Sequence, residues 1–146
     1  MDFHKLRCDH RILLSRAADL AGMALGLKTA RDADRAVAVI TELDGLIVAH
    51  LEAEDAEVYG VLMASQDADL SARATAAYDD VGGLVGAWSQ FADYWTQAEI
   101  LTRPEAFGRA ADCVLNALIL RIRFEEETLY PAAESVARTP GARQAA

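Results

Sequence analysis

Four residues of this chain have types and spacings that could do chemistry: His10, His50, Glu54 and Glu125. The run His50-x-x-x-Glu54 sets an imidazole and a carboxylate one helical turn apart on the same face. That spacing lets one helix present two ligands to a single metal ion or to a bridged pair. Arg121-x-x-x-Glu125 has the same spacing with a guanidinium in the first place. Imidazole nitrogen and carboxylate oxygen together suit divalent first-row metals. Arginine has donors but no lone pair. At that position it cannot ligate, it repels a neighbouring cation, and it can neutralise Glu54 and Glu125 in an ion pair.

Elements that could bring these groups together follow from apolar residues recurring at steps of three and four, which predict four helices each offering one stripe to a shared core. The first covers residues 3–27, with Phe3, Leu6, His10, Leu13, Ala17, Leu20, Ala24 and Leu27 on its stripe. A second, over 32–64, carries Ala36, Ile40, Leu43, Ile47, His50, Glu54, Val58 and Val61. Asp67 or Ser71 then caps a third helix over 69–98, with Leu70, Ala74, Ala77, Val81, Leu84, Trp88, Phe91 and Trp95. Gly82, Gly83 and Gly86 point to a bend or a close helix approach in its middle. The run Thr102-Arg103-Pro104-Glu105 reads as a capping box with proline in the first turn, opening a fourth helix to residue 135. Its stripe is Phe107, Ala111, Val114, Leu118, Arg121, Glu125 and Thr128.

Short connections between long helices favour an antiparallel up-down-up-down bundle, so the fold class is all-α. In that arrangement His10, His50, Glu54, Arg121 and Glu125 fall at one level. A histidine or carboxylate placed in an apolar core costs several kcal/mol, roughly, unless it is paired, hydrogen-bonded or bound to a cation. Residues 1–136 make one domain, and 137–146, with Pro, Gly and Arg, make a frayed tail.

Composition narrows the function classes. Of 146 residues 53% are hydrophobic and 25% charged, enough to bury a core and too apolar for a disordered chain. With 23 acidic and 14 basic side chains the formal charge is -9, so nucleic acid and anionic membrane surface are excluded as partners. Two cysteines without CxxC spacing, and no apolar leader or spanning run, place the chain in the cytoplasm. No Ser/His/Asp or Cys/His grouping supports a nucleophile, and no catalytic residue is assigned.

The segments Asp9-His10-Arg11 with Leu13-Leu14, His50 through Tyr59, and Glu125-Glu126-Glu127-Thr128-Leu129-Tyr130-Pro131 resemble the hemerythrin-like, or HHE cation-binding, domain family over residues 3–135. The resemblance implies a four-helix bundle with a non-haem di-iron centre, used for oxygen binding, oxygen or iron sensing, and iron handling. His10 matches the family's helix 1 ligand, His50 and Glu54 its helix 2 pair, and Glu125 the carboxylate of its helix 4 pair. Two imidazoles of the pattern are missing: Arg121 stands in place of one, and Ala77 to Val81 offers only Tyr78 or Asp80 as extras where the other belongs. His4 faces roughly 120° away from His10 on the same helix.

The expected cofactor is therefore iron, as one ion or none rather than two. The leading reading is a degenerate, non-catalytic regulatory or interaction module whose former metal layer is an ion-pair network. The alternative is a metal or oxygen sensor with a reduced, mononuclear site. A protein partner or a homodimer fits either reading. Glu126 and Glu127 read as a solvated face, Tyr130 as a packing residue at a helix end, Trp88, Phe91, Tyr94 and Trp95 as core, and Cys8 and Cys113 as inert buried thiols.

Overall fold

The structure is a computed structural model that describes residues 2–138, and every element in it is helical. In chain order these are α1 (Phe3–Leu25), α2 (Ala30–Glu54), a π-helical turn (Asp55–Tyr59), α3 (Gly60–Met63), α4 (Ala68–Tyr94), α5 (Gln97–Thr102), α6 (Pro104–Phe124), a second π-helical turn (Glu125–Leu129) and α7 (Tyr130–Arg138). Helix α1 packs along α2 and α6, and α4 packs against α6, α2 and α3. Among the described residues no helix is long and apolar enough to cross a membrane. Ala137 and Arg138 belong to α7, and the remainder of the expected tail lies outside the described residues.

The helix boundaries follow local chemistry. Asp67 caps α4 by accepting from the backbone N–H groups of Asp69 and Leu70, as expected. Helix α2 starts earlier than its stripe suggests because Thr29 and Asp32 form a reciprocal capping box. The box expected at Thr102 is absent: its hydroxyl donates to the Ala98 carbonyl, and α6 begins at Pro104 after Arg103, without a side-chain cap. What read as one third helix is divided, since Trp95 leaves helical geometry and Thr96 caps the separate α5 by accepting from Glu99 N–H. Helix α4 runs unbroken past its glycines, and a Cβ at Gly82, Gly83 or Gly86 would meet nothing within 4 Å, so no close helix approach requires them.

Both π-helical turns shift the buried stripe. Each accommodates one residue more than an α turn would, so the face that follows moves one position along the chain. In place of Val61 and Thr128, which are half-buried, the core takes Tyr59 and Leu62 on one side and Leu129 and Tyr130 on the other.

Two apolar clusters result. One gathers Leu13, Leu20, Leu43, Ile47, Trp88, Phe107, Leu118 and Ile122; the other gathers Leu6, Val58, Leu62, Val81, Leu129 and Tyr130. Along α1, His10 falls between Leu6 and Leu13; along α2, His50 and Glu54 fall between Ile47 and Val58; Glu125 falls between Ile122 and Leu129. The polar layer thus separates two hydrophobic cores. Trp88, Phe91 and Trp95 are buried as expected, whereas Tyr94 and Cys113 are exposed and Cys8 is half-buried.

The capping difference gives a direct test. Replacing Thr29 by alanine is expected to cost about 1 kcal/mol in chemical denaturation, and Thr102→Ala within roughly 0.5 kcal/mol of no change.

Candidate metal centre

His10, His50, Glu54 and Glu125 meet in the interior, each offering one ligand atom, with those atoms all within 4.8 Å of one another. His10 and Glu54 are wholly buried, and Glu125 and His50 are 2% and 5% exposed. Helix α1 supplies His10, the last turn of α2 supplies His50 and Glu54, and the second π turn opens with Glu125. Both carboxylates therefore sit at the junction between α-helix and π turn, a type of irregularity that is frequent at functional sites.

Around this cluster the hydrogen bonds are uneven. His10 Nε2 lies 3.1 Å from Glu125 Oε2, and its Nδ1 lies 2.9 Å from Glu126 Oε1. In the metal-free layer both ring nitrogens thus face carboxylate oxygens; the tautomer with its proton on Nδ1, directed at Glu126, is the one that presents the Nε2 lone pair to the interior. Tyr130 donates its hydroxyl to Glu54 Oε1 at 2.5 Å and stands 3.1 Å from His10 Nε2. Arg121 donates from Nε to Glu125 Oε1 at 2.6 Å, and its guanidinium lies over the rings of Tyr59 and Phe124.

His50 is the exception. Its Nε2 is 3.4 Å from Glu54 Oε1 and its Nδ1 3.7 Å from Asp9 Oδ2, and neither nitrogen makes a hydrogen bond. Glu54 Oε2 and Arg121 Nη2 also lack partners. Against the layer is a cavity of about 30 Å³ with mostly apolar walls, such as Ile47, Val85, Trp88 and Leu118, and with His50, Glu54, Arg121 and Glu125 as its polar part. That is room for a water-sized guest.

Charge within the layer is finely balanced. Burial pushes the His10 imidazole down, but hydrogen bonds to Glu125 and Glu126 and the charges of Glu125 and Glu54 outweigh it, leaving His10 above its ordinary 6.5. Burial raises Glu54, yet His50, the Tyr130 hydroxyl and His10 pull it below its ordinary 4.5. Glu125 stays above 4.5: burial and the charge of Glu54 hold it there against His10 and Arg121. Burial and then the neighbouring carboxylates push the Tyr130 phenol far above 10.0.

The structure brings together the four candidate ligands and Arg121, but not the suggested extras. Tyr78 is 41% exposed and meets Tyr59 edge-on, and Asp80 is exposed on α4 beside a surface groove. Both lie outside the ligand cluster because the α4 stripe turns Ala77 and Val81 inward. His4 contacts Cys8 near the surface, and Glu57 accepts from Asp2 N–H at the start of α1. Sequence reasoning missed Glu126, which holds His10 rather than facing only water, and Tyr130, which is a member of the layer. The one signal for Tyr130 is its spacing: Glu125-x-x-x-x-Tyr130 repeats Glu54-x-x-x-x-Tyr59 across the two π turns.

A sequence model of the Hemerythrin HHE cation binding domain matches residues 1–133. The chain belongs to that family. No curated protein and no solved structure matches it. Among the described residues His10, His50, Glu54 and Glu125 form a candidate metal site.

Stability of the metal-free protein should carry the titration of this layer. The raised pKa of His10 means its contribution is full below 6.5 and is lost as pH rises through the folded value. Glu54, lowered, contributes above 4.5 and loses that contribution as pH falls through its folded value. Denaturant midpoints measured against pH are expected to fall on the alkaline side of 6.5, and His10→Gln is expected to flatten that limb.

Proposed function

We propose that this hemerythrin-family chain holds one non-haem iron ion, rather than two, on His10, His50, Glu54 and Glu125, and acts as a metal- or oxygen-responsive regulatory module without turnover. The observation that carries the reading is the pair of bare nitrogens on buried His50, together with the bare Oε2 of Glu54. Leaving buried polar groups unpartnered costs about 1–3 kcal/mol each. An ion bound by these atoms would remove that cost. A purely structural layer explains Arg121 and Glu125 but leaves His50 paired with Glu54 only at 3.4 Å, with neither ring nitrogen in a hydrogen bond.

The four long stretches fit an up-down-up-down bundle, because such a bundle sets the early part of α1 level with the late parts of α2 and α6. Within it the chain's own residues divide the work. Glu126 accepts a hydrogen bond from His10 Nδ1–H and so aims Nε2 inward. Tyr130 restrains one oxygen of Glu54 and leaves the other available. Arg121 holds one oxygen of Glu125 and adds a fixed positive charge where a second ion's ligand would stand. Surrounding apolar side chains exclude bulk water. Iron, when bound, supplies a site for a small ligand such as oxygen.

Because Arg121 and a cation both draw on Glu125, loading is expected to weaken the guanidinium's hold. That displacement would be the event a partner reads. Elemental analysis after anaerobic reconstitution with ferrous iron is expected to give one iron per chain, and none in His50→Ala. Arg121→His, which exchanges a charge for a lone pair, is expected to raise iron content above one. Two irons per wild-type chain with an oxo-bridge absorption band would overturn the reading, and an unchanged iron content in Arg121→His would overturn the role given to Arg121.

A further inference from the structure

The Tyr130 hydroxyl lies closer to the candidate ligand atoms than a packing residue needs to be. Ligand atoms bonded at about 2.1 Å to one ion and at right angles to each other stand about 3.0 Å apart. Tyr130 Oη is 3.1 Å from His10 Nε2 and 2.5 Å from Glu54 Oε1. His10 Nε2 in turn is 3.1 Å from Glu125 Oε2. Tyr130 Oη is thus within hydrogen-bond distance of two candidate ligands, His10 Nε2 and Glu54 Oε1, which are themselves 3.9 Å apart, so a single ion replacing the shared proton could reach all three.

The position is also fixed. Tyr130 is wholly buried, its ring stacks on His10 at a 5° interplanar angle, the Phe3 ring meets it tilted at 5.4 Å, and the Arg7 guanidinium lies over it at 5.6 Å. Arg7 is itself held by Glu134 at 2.7 Å. Little side-chain entropy remains to be lost on ligation.

We infer that Tyr130 is a fifth protein ligand, bound as tyrosinate when the ion is ferric. The inference rests on the one-ion reading and deepens it. In forming the bond the phenol O–H breaks and the O–Fe bond forms. The proton leaves to buffer by way of Glu54 Oε1, which accepts that hydrogen bond, and no electron moves because iron is supplied in the ferric state. Tyr59, at the matching place in the first π turn, is a built-in comparison: its hydroxyl is buried but has no partner, and its ring faces Arg121.

The test loads the full-length protein with one equivalent of ferric nitrilotriacetate, followed by gel filtration, elemental analysis and visible spectroscopy. The expected result is one iron per chain with a visible phenolate-to-iron charge-transfer band. The band is lost in Tyr130→Phe and kept in Tyr59→Phe. Should Tyr130→Phe fail to fold or hold iron, phenolate ring vibrations in the resonance Raman spectrum of the wild type, unchanged in Tyr59→Phe, read the same ligand. One iron with no visible band, or a band that survives Tyr130→Phe, overturns the ligand and leaves the one-ion reading standing. Absence of iron from the wild type overturns both, and elemental analysis separates that outcome from the first.

Discussion

Two carboxylates, Glu54 and Glu125, are buried where two hydrophobic clusters meet, and most other features of the molecule answer to that constraint. An ionised carboxylate removed from water needs compensating charge or hydrogen bonds. Glu125 receives an arginine and a histidine on its two oxygens, while Glu54 receives the tyrosine hydroxyl, with His50 at 3.4 Å, on one oxygen and nothing on the other. The imbalance is informative. A layer built only for stability would satisfy both groups, or would replace them with apolar side chains at little loss. Keeping His50 and Glu54 under-satisfied in a packed interior makes sense if a cation completes them.

The near-repeat in the two π turns shows how the site departs from a symmetric pair. His50, Glu54 and Tyr59 correspond along the chain to Arg121, Glu125 and Tyr130. On the first of these stretches neither the imidazole nor the tyrosine hydroxyl makes a hydrogen bond; on the second the guanidinium is engaged and the tyrosine reaches across to Glu54. One half of the layer thus offers lone pairs, and the other half is occupied by a fixed cation.

Much of this was legible before the structure. Steps of three and four mark the helices and pick out His10, His50, Glu54 and Glu125 as polar residues on apolar stripes, and the structure buries all four together. The rest was hidden for identifiable reasons. Periodicity assumes one pitch, so it continued to Val61 and Thr128 and could not register the two π turns that bring in Leu62 and Tyr130. Glu126 lies in a run of three glutamates, where composition argues for water, and only the approach of α1 gives it His10 as a partner. Tyr78 and Asp80 carry ligand atoms near the third-helix position of the family pattern, yet the apolar Ala77 and Val81 are the ones turned inward.

Scarcity of histidine and the arginine at 121 are what the one-ion proposal rests on. Iron-edge X-ray absorption on the reconstituted protein tests this most directly, since it reports both the atoms around iron and any second metal nearby. The account predicts a single shell of nitrogen and oxygen at about 2.0–2.2 Å, with imidazole scattering beyond it and no iron neighbour. An iron–iron vector at roughly 3.5–4 Å or shorter would contradict it.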